Sequence, residues 1–333
     1  MKVALIILGI IAVLLALLFF VGGFIMYCYA VRRTKNEKRQ INYWEDGNEE
    51  KGFFADMKPE VKERSVAGAK LIKGAVTEKV YITSRDGLKL CGHLIENYAG
   101  RAVAILMHGY RSSGLVDFSW SADYFYRRGF SLLIVDERAC GESEGKNIGF
   151  GVTERFDAVD WAKFAEERWP GKPVVMCGVS LGAATVMMGA GVGYPANVKA
   201  ILADCGFTTG GAIGRKCMKQ WFHLPAFPVY YGGKLWTKWL AHYDLDVVNS
   251  RDSLSKLRGT GVKVLIVHGT ADDFVPYEMS VENAKAFDYM PESARREVME
   301  FLSVEGAGHG TSFIADEMAY LDAFERLLAK AGI

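Results

Sequence analysis

From Val3 to Val31 no position carries a charged side chain, and Leu, Ile, Val and Phe dominate the run. About 20 apolar residues cross a hydrocarbon core, so this stretch predicts a membrane-spanning helix. Tyr27 and Tyr29 lie near its end, where amphipathic rings favour the headgroup level. Residues 32–75 then mix charges and predict a juxtamembrane connector, with loosely helical spacing from Pro59 to Leu71. From Thr77 onward the pattern changes again, to short apolar runs alternating with stretches of helical spacing.

Residues 80–83 and 88–90 flank Arg85-Asp86-Gly87 and predict a hairpin. Apolar runs follow at 102–107, 131–135, 173–177, 198–203, 262–267 and 297–302. Helical segments are expected at 119–128, 153–168, 181–192, 278–289 and 316–330. Short apolar strands alternating with helices predict an α/β fold: a mostly parallel sheet covered by helices on both faces, with the leading hairpin antiparallel at one edge. In such sheets the ligand site lies at the carboxyl ends of the strands. Residues 207–256 interrupt the rhythm with Trp221, Phe222, Phe227, Tyr230, Tyr231, Trp236 and Trp239. That stretch is too long for a simple connection. It predicts either an extra helical pair packed on the body or a small cap shaping an apolar cleft, and its place between two core strands favours the cap. The expected organisation is an anchor over 1–31, a connector over 32–75 and a catalytic domain over 76–333 with a cap insertion at 207–256.

Two other readings of the apolar run are weaker. A cleaved signal peptide has a shorter apolar region and small residues at its cut site, whereas here Arg32-Arg33 follows directly. A buried core helix rarely stays uncharged for this length. Lys2 and the α-amino group precede the run, while Arg32, Arg33, Lys35, Lys38 and Arg39 follow it, which places the large domain on the cytoplasmic side of a single-pass cell-membrane protein. With 40 basic and 39 acidic residues, nothing in the charge balance asks for nucleic acid. The cysteines Cys28, Cys91, Cys140, Cys177, Cys205 and Cys217 form no CxxC pair, so their spacing gives no support to zinc thiolates, and their density argues against a disulfide framework.

Gly178-Val179-Ser180-Leu181-Gly182 matches the G-x-S-x-G elbow, in which small neighbours allow a sharp strand-to-helix turn that exposes the serine hydroxyl. An apolar strand before it and an Ala-rich helix after it supply the required context. A serine nucleophile needs a base, and the base an orienting carboxylate. Only His309 lies near the C-terminus, in the loop Glu305-Gly306-Ala307-Gly308-His309-Gly310 after the last strand. Asp272 is the first candidate carboxylate, with adjacent Asp273 and strand-end Asp204 as rivals. The backbone N–H groups of Leu181 and Tyr110 are the candidate oxyanion donors, Tyr110 lying in the loop His108-Gly109-Tyr110-Arg111-Ser112-Ser113-Gly114 after the strand 102–107. His108 is expected to brace that loop. No Walker-type, H-E-x-x-H or dinucleotide pattern occurs, so neither a metal nor an organic cofactor is expected.

With these residues in order, the chain over roughly 75–330 resembles the α/β-hydrolase superfamily, closest to membrane-anchored serine aminopeptidase-like and Bem46-like members. The matching pieces are His108-Gly109, the segment Asp136 to Gly145, the elbow, His268-Gly269-x-x-Asp272-x-x-Val275-Pro276 and Gly308-His309. Ala139 stands where the second motif usually has glycine. The resemblance implies a core of about eight strands and the triad Ser180, Asp272 and His309. The expected activity is hydrolysis of an ester or thioester of an apolar acyl group, on a small-molecule ester or lipid substrate. The alternatives are a serine peptidase acting on small peptides and a non-catalytic membrane-bound scaffold. A dehalogenase-like reading would need an aspartate at position 180.

Overall fold

The computed structural model describes residues 1–34, 63, 68, 70, 72, 74–119 and 121–333. Most of the expected connector, including nearly all of the helix expected over Pro59–Leu71, lies outside the described residues. The chain begins with helix α1 (Lys2–Leu17), passes through one π turn (Leu18–Gly22) and continues as α2 (Gly23–Ala30). Together Lys2–Ala30 are long and apolar enough to cross a membrane, and the most apolar window of this helix is not buried by the protein.

Strands β1 (Glu78–Thr83) and β2 (Lys89–Ile95) form the predicted hairpin. Next come β3 (Ala102–Met107), the short helices α3 (Gly114–Asp117) and α4 (Ala122–Arg127), and β4 (Phe130–Val135). Helix α5 (Glu154–Arg168) leads to β5 (Val174–Val179), and α6 (Leu181–Gly189) to β6 (Val198–Asp204). Helices α7 (Gly210–Trp221), α8 (Val229–Leu240) and α9 (Ser250–Leu254) precede β7 (Lys263–Gly269). Helices α10 (Tyr277–Ala284) and α11 (Glu292–Val298), strand β8 (Met299–Val304), and helices α12 (Ser312–Ala315) and α13 (Glu317–Ala331) complete the chain.

The eight strands form one sheet in the order β1-β2-β4-β3-β5-β6-β7-β8. β1, β2 and β4 pair antiparallel, and every pair from β4–β3 to β7–β8 is parallel. The central strands are apolar at consecutive positions because both faces are covered. Ile105, Met107, Leu133, Met176 and Ile266 pack with Trp161, Val186 and Phe287 on one face. Their neighbours Ala104, Leu106, Leu132, Val175 and Leu265 pack with Phe125, Phe324 and Leu328 on the other. That alternation follows from the two-residue period of a strand.

The last strand begins two residues later than its apolar run suggests, because Glu292–Val298 close a helix first. The aromatic insertion is a small helical cap. Its apolar side joins a third cluster in which Tyr27 and Val31 of the N-terminal helix meet Ile213 and Tyr230 of the cap and Leu181 of the body.

One motif beside the sheet shows how its sequence is used. Asp136 at the end of β4 accepts from the backbone N–H of Glu142 at 2.9 Å and meets His93 Nε2 at 3.1 Å. Arg138 is buried and holds Asp157 at 2.6 and 2.7 Å and Asp86 at 2.9 and 3.1 Å. Ala139 sits at φ 61°, a left-handed conformation that explains why the motif usually carries glycine at this place.

Candidate active site

Ser180 lies between β5 and α6 at φ 55° and ψ −111°. This strained turn is held by close backbone packing on both sides. A Cβ on Gly178 would lie 2.3 Å from the carbonyl carbon of Gly182, and one on Gly182 would lie 1.9 Å from the carbonyl oxygen of Met107. Only glycine fits either position. The turn is further tied by the Ser180 N–H, which donates to the Asp204 carbonyl at 2.8 Å.

His309 reaches this turn from the loop after β8. Its Nε2 lies 2.9 Å from Ser180 Oγ and its Nδ1 lies 2.8 Å from Asp272 Oδ2. A carboxylate only accepts, so Nδ1 carries the proton and the neutral ring offers Nε2 as acceptor to the serine hydroxyl. The Asp272 side chain is fully buried. Its Oδ1 accepts the backbone N–H groups of Phe274 and Val275, each at 2.9 Å. Its Oδ2 also meets His268 Nε2 at 3.1 Å. Burial opposes the charge on Asp272, but the hydrogen bonds from His268 and His309 outweigh it and hold the carboxyl well below its ordinary range. His268 is thus a second imidazole on the same carboxylate, with its other nitrogen fixed by Ser280 Oγ at 2.6 Å. In the sequence His268 stands in the motif with Asp272, four residues before it at the end of the same strand, but nothing in the pattern assigns it to the carboxylate.

The rival carboxylates sit elsewhere. Asp273 is exposed. Asp204 is buried beneath the turn, accepts from Ser312 Oγ at 3.1 Å, and has its carboxyl pushed up to about 6 by burial.

The loop after β3 packs against Ser180. A Cβ on Gly109 would lie 3.4 Å from the Ser180 Cβ. His108 braces the loop: its Nδ1–H donates to the Gly109 carbonyl at 2.8 Å, and its Nε2 accepts the Glu137 N–H at 3.0 Å. Asp117 is a second brace that the sequence did not reveal. Its Oδ2 accepts the Gly109 N–H at 2.6 Å and its Oδ1 accepts Ser112 Oγ–H at 2.5 Å. Burial raises the Asp117 carboxyl above its usual range. Tyr110 stacks its ring on Phe150 with centroids 5.4 Å apart and turns its hydroxyl to the Ala30 carbonyl at 2.7 Å. Leu181 opens α6, and the first N–H groups of a helix have no partner within it. A cavity of about 20 Å³ lies beside the turn, among Val179, Asp117, Asp204, Gly310 and Phe313. It has room for a water-sized group.

Among the described residues, two groups have the atom types of cation ligands, Cys205 with Asp272 and His309, and Cys91 with His93 and Asp136. In the first, the Asp272–His309 contact is closed by the Nδ1 proton. In the second, burial pushes the Cys91 thiol up to about 12, which opposes the thiolate a metal needs.

An eight-stranded sheet in this order with a serine elbow after β5 is the α/β-hydrolase fold. The family described as serine aminopeptidase, S33, matches residues 99–244. The chain is similar to the YfhR protein of Salmonella typhi, 27% identical over 221 residues, which are 62% of this chain and 68% of that one. It is also similar to the thiohydrolase aneE of Aspergillus aculeatus, 30% identical over 128 residues, 36% of this chain and 38% of that one. In three dimensions it resembles the esterase Pf2001 of Pyrococcus furiosus, with a TM-score of 0.60 and 21% identity over 76% of this chain and 90% of that one.

Proposed function

We propose that the chain is a membrane-anchored serine hydrolase that cleaves ester or thioester bonds of apolar acyl substrates. The observation that carries this reading is the hydrogen-bonded line from Ser180 Oγ through His309 to buried Asp272. Ser180 attacks the carbonyl carbon while His309 Nε2 takes its proton. Asp272 fixes the tautomer and stabilises the imidazolium. The oxyanion is received by the N–H groups of Leu181 and Tyr110. His309 then protonates the leaving group, and a water activated by the same nitrogen releases the acid. An esterase of the same fold and a thiohydrolase similar over part of the chain support the bond type.

A serine peptidase is the second reading, because the matching family is described as serine aminopeptidase. The test is hydrolysis of p-nitrophenyl esters of graded acyl length, with amino-acid anilides in parallel. Ester turnover is expected, and Ser180→Ala is expected to lower it on the order of a thousandfold or more. Anilide turnover without ester turnover would transfer the reading to the peptidase. A folded chain that turns over neither, and is not labelled by a fluorophosphonate at Ser180, would be a scaffold.

The helix Lys2–Ala30 is the proposed anchor. The basic residues Arg32, Arg33, Lys35, Lys38 and Arg39 that follow it support a cytoplasmic side for the catalytic body. Protease protection of the body in inside-out and right-side-out vesicles tests the orientation.

A further inference from the structure

The way the N-terminal helix meets the cap sets the depth at which the cap sits. Helix α1 has 16 residues and spans ~24 Å, short of a hydrocarbon core of ~30 Å. A span that starts at Lys2 therefore needs roughly four more residues. Those residues are already docked on the cap. A Cβ on Gly232 of α8 would lie 1.8 Å from the Phe19 carbonyl oxygen, and one on Gly23 would lie 2.4 Å from the Gly232 carbonyl carbon. The Phe20 carbonyl also accepts the Trp236 indole N–H at 2.8 Å. The two helices meet backbone to backbone through glycines, as small residues allow in membrane helix pairs.

Whatever level Phe19 to Gly23 reach, the neighbouring cap side chains reach it too. The Phe227 ring is 6.4 Å from that of Phe19, and the Tyr231 ring is 6.5 Å from that of Phe227. Phe227, Tyr231, Trp239 and Leu240 are all exposed by the protein. From Phe207 to Tyr243 there are five Lys and Arg residues and no Asp or Glu; Asp244 and Asp246 just beyond pair with Lys234 and Arg215, while Lys219 and Lys238 are exposed. Exposed aromatics and Leu beside the exposed Lys219 and Lys238 are the composition of an element that lies in a lipid interface.

We propose that the cap is a second membrane-contacting element. Phe227, Tyr231, Trp239 and Leu240 enter the interface of an anionic phospholipid bilayer beside the anchor, and Lys219 and Lys238 face its headgroups. The helix after Ser180 then lies close to the membrane surface, because Leu181 shares one apolar cluster with Tyr27 and Tyr230. This inference rests on the anchor reading, and the experiment separates the two. The full chain is reconstituted in vesicles of phosphatidylcholine and phosphatidylglycerol, some carrying bromine at shallow chain positions. Trp239→Phe is prepared alongside, so the difference spectrum reports Trp239 alone. The expected result is that bromine quenches at least about half of the Trp239 emission, while aqueous iodide loses most of its quenching on reconstitution. A chain resistant to alkaline carbonate whose Trp239 is quenched by iodide and not by bromine overturns the proposal and leaves the anchor intact. A chain extracted by carbonate fails the anchor reading itself and the proposal with it. Trp239 shielded from both quenchers would mean that protein, such as a second copy, covers the cap, and this also overturns it. Ser180→Ala is expected to give the same quenching as the wild type, since the readout does not depend on turnover.

Discussion

The serine elbow and the seam between the N-terminal helix and the cap use the same device in different settings. At the elbow, Gly178 and Gly182 let a helix start press against a strand end. At the seam, Gly23, Gly232 and Gly233 let two helices cross at backbone distance. The elbow glycines are four residues apart, and the strands and helices around them are buried on both faces. The seam joins residues about two hundred positions apart, along one flank of the protein. A close contact set in a two-sided core has no room to relax, whereas a contact at the edge of a body can separate. The same steric insult should therefore cost far more at the elbow.

The largest effect is expected from Gly182→Val, which drives a side chain into the Met107 carbonyl. Loss of at least about 3 kcal/mol and of all ester turnover is expected, read by thermal unfolding in detergent and by activity. Gly232→Val carries an equally short contact, with the Phe19 carbonyl, but should cost about 1–3 kcal/mol. It should also lower turnover by weakening the support that Ala30 gives the Tyr110 hydroxyl, with faster proteolysis near residue 32 as the direct sign of undocking. Equal unfolding in the two variants would break the comparison.

Asp204→Asn probes the floor of the elbow. The Asp204 carboxyl is raised to about 6 in the folded protein, so the native state keeps this proton after the unfolded chain has lost it. The contribution of this group to stability therefore falls as pH rises from about 4 to about 6. The variant should gain on the wild type by ~2 kcal/mol across that window, read as the difference between urea midpoints at successive pH values. A gap that does not change with pH would show that the buried proton is not linked to folding.

Ala139→Gly is the smallest change. It relieves a left-handed alanine, at about 1–2 kcal/mol, against the added flexibility of glycine in the unfolded chain, at about 0.5–1 kcal/mol. A net gain of a few tenths to about 1 kcal/mol in thermal stability is expected. A loss would mean that the Ala139 methyl, buried in the apolar cluster that reaches the N-terminal helix, contributes more than its strain costs.

The amino-acid sequence by itself determined the elements with strong local signals. The apolar strand runs, the hairpin around Asp86-Gly87 and the G-x-S-x-G turn were legible because period, breakers and small residues act over a few neighbours. The length of the apolar helix and the aromatic character of the cap were legible for the same reason. The order of motifs singled out Ser180, Asp272 and His309, but spacing alone left Asp273 and Asp204 as rivals.

Only the tertiary structure decided which carboxylate faces His309, because one residue along a loop turns a side chain from the buried site to solvent. It also decided that His268 shares Asp272, that Asp117 holds the Gly109 N–H, and that Tyr110 leans on Ala30 of the N-terminal helix. These contacts join residues that lie in different elements or point inward only once a strand end is packed. Hydrophobic periodicity reports which face of an element is buried and is silent on what it is buried against.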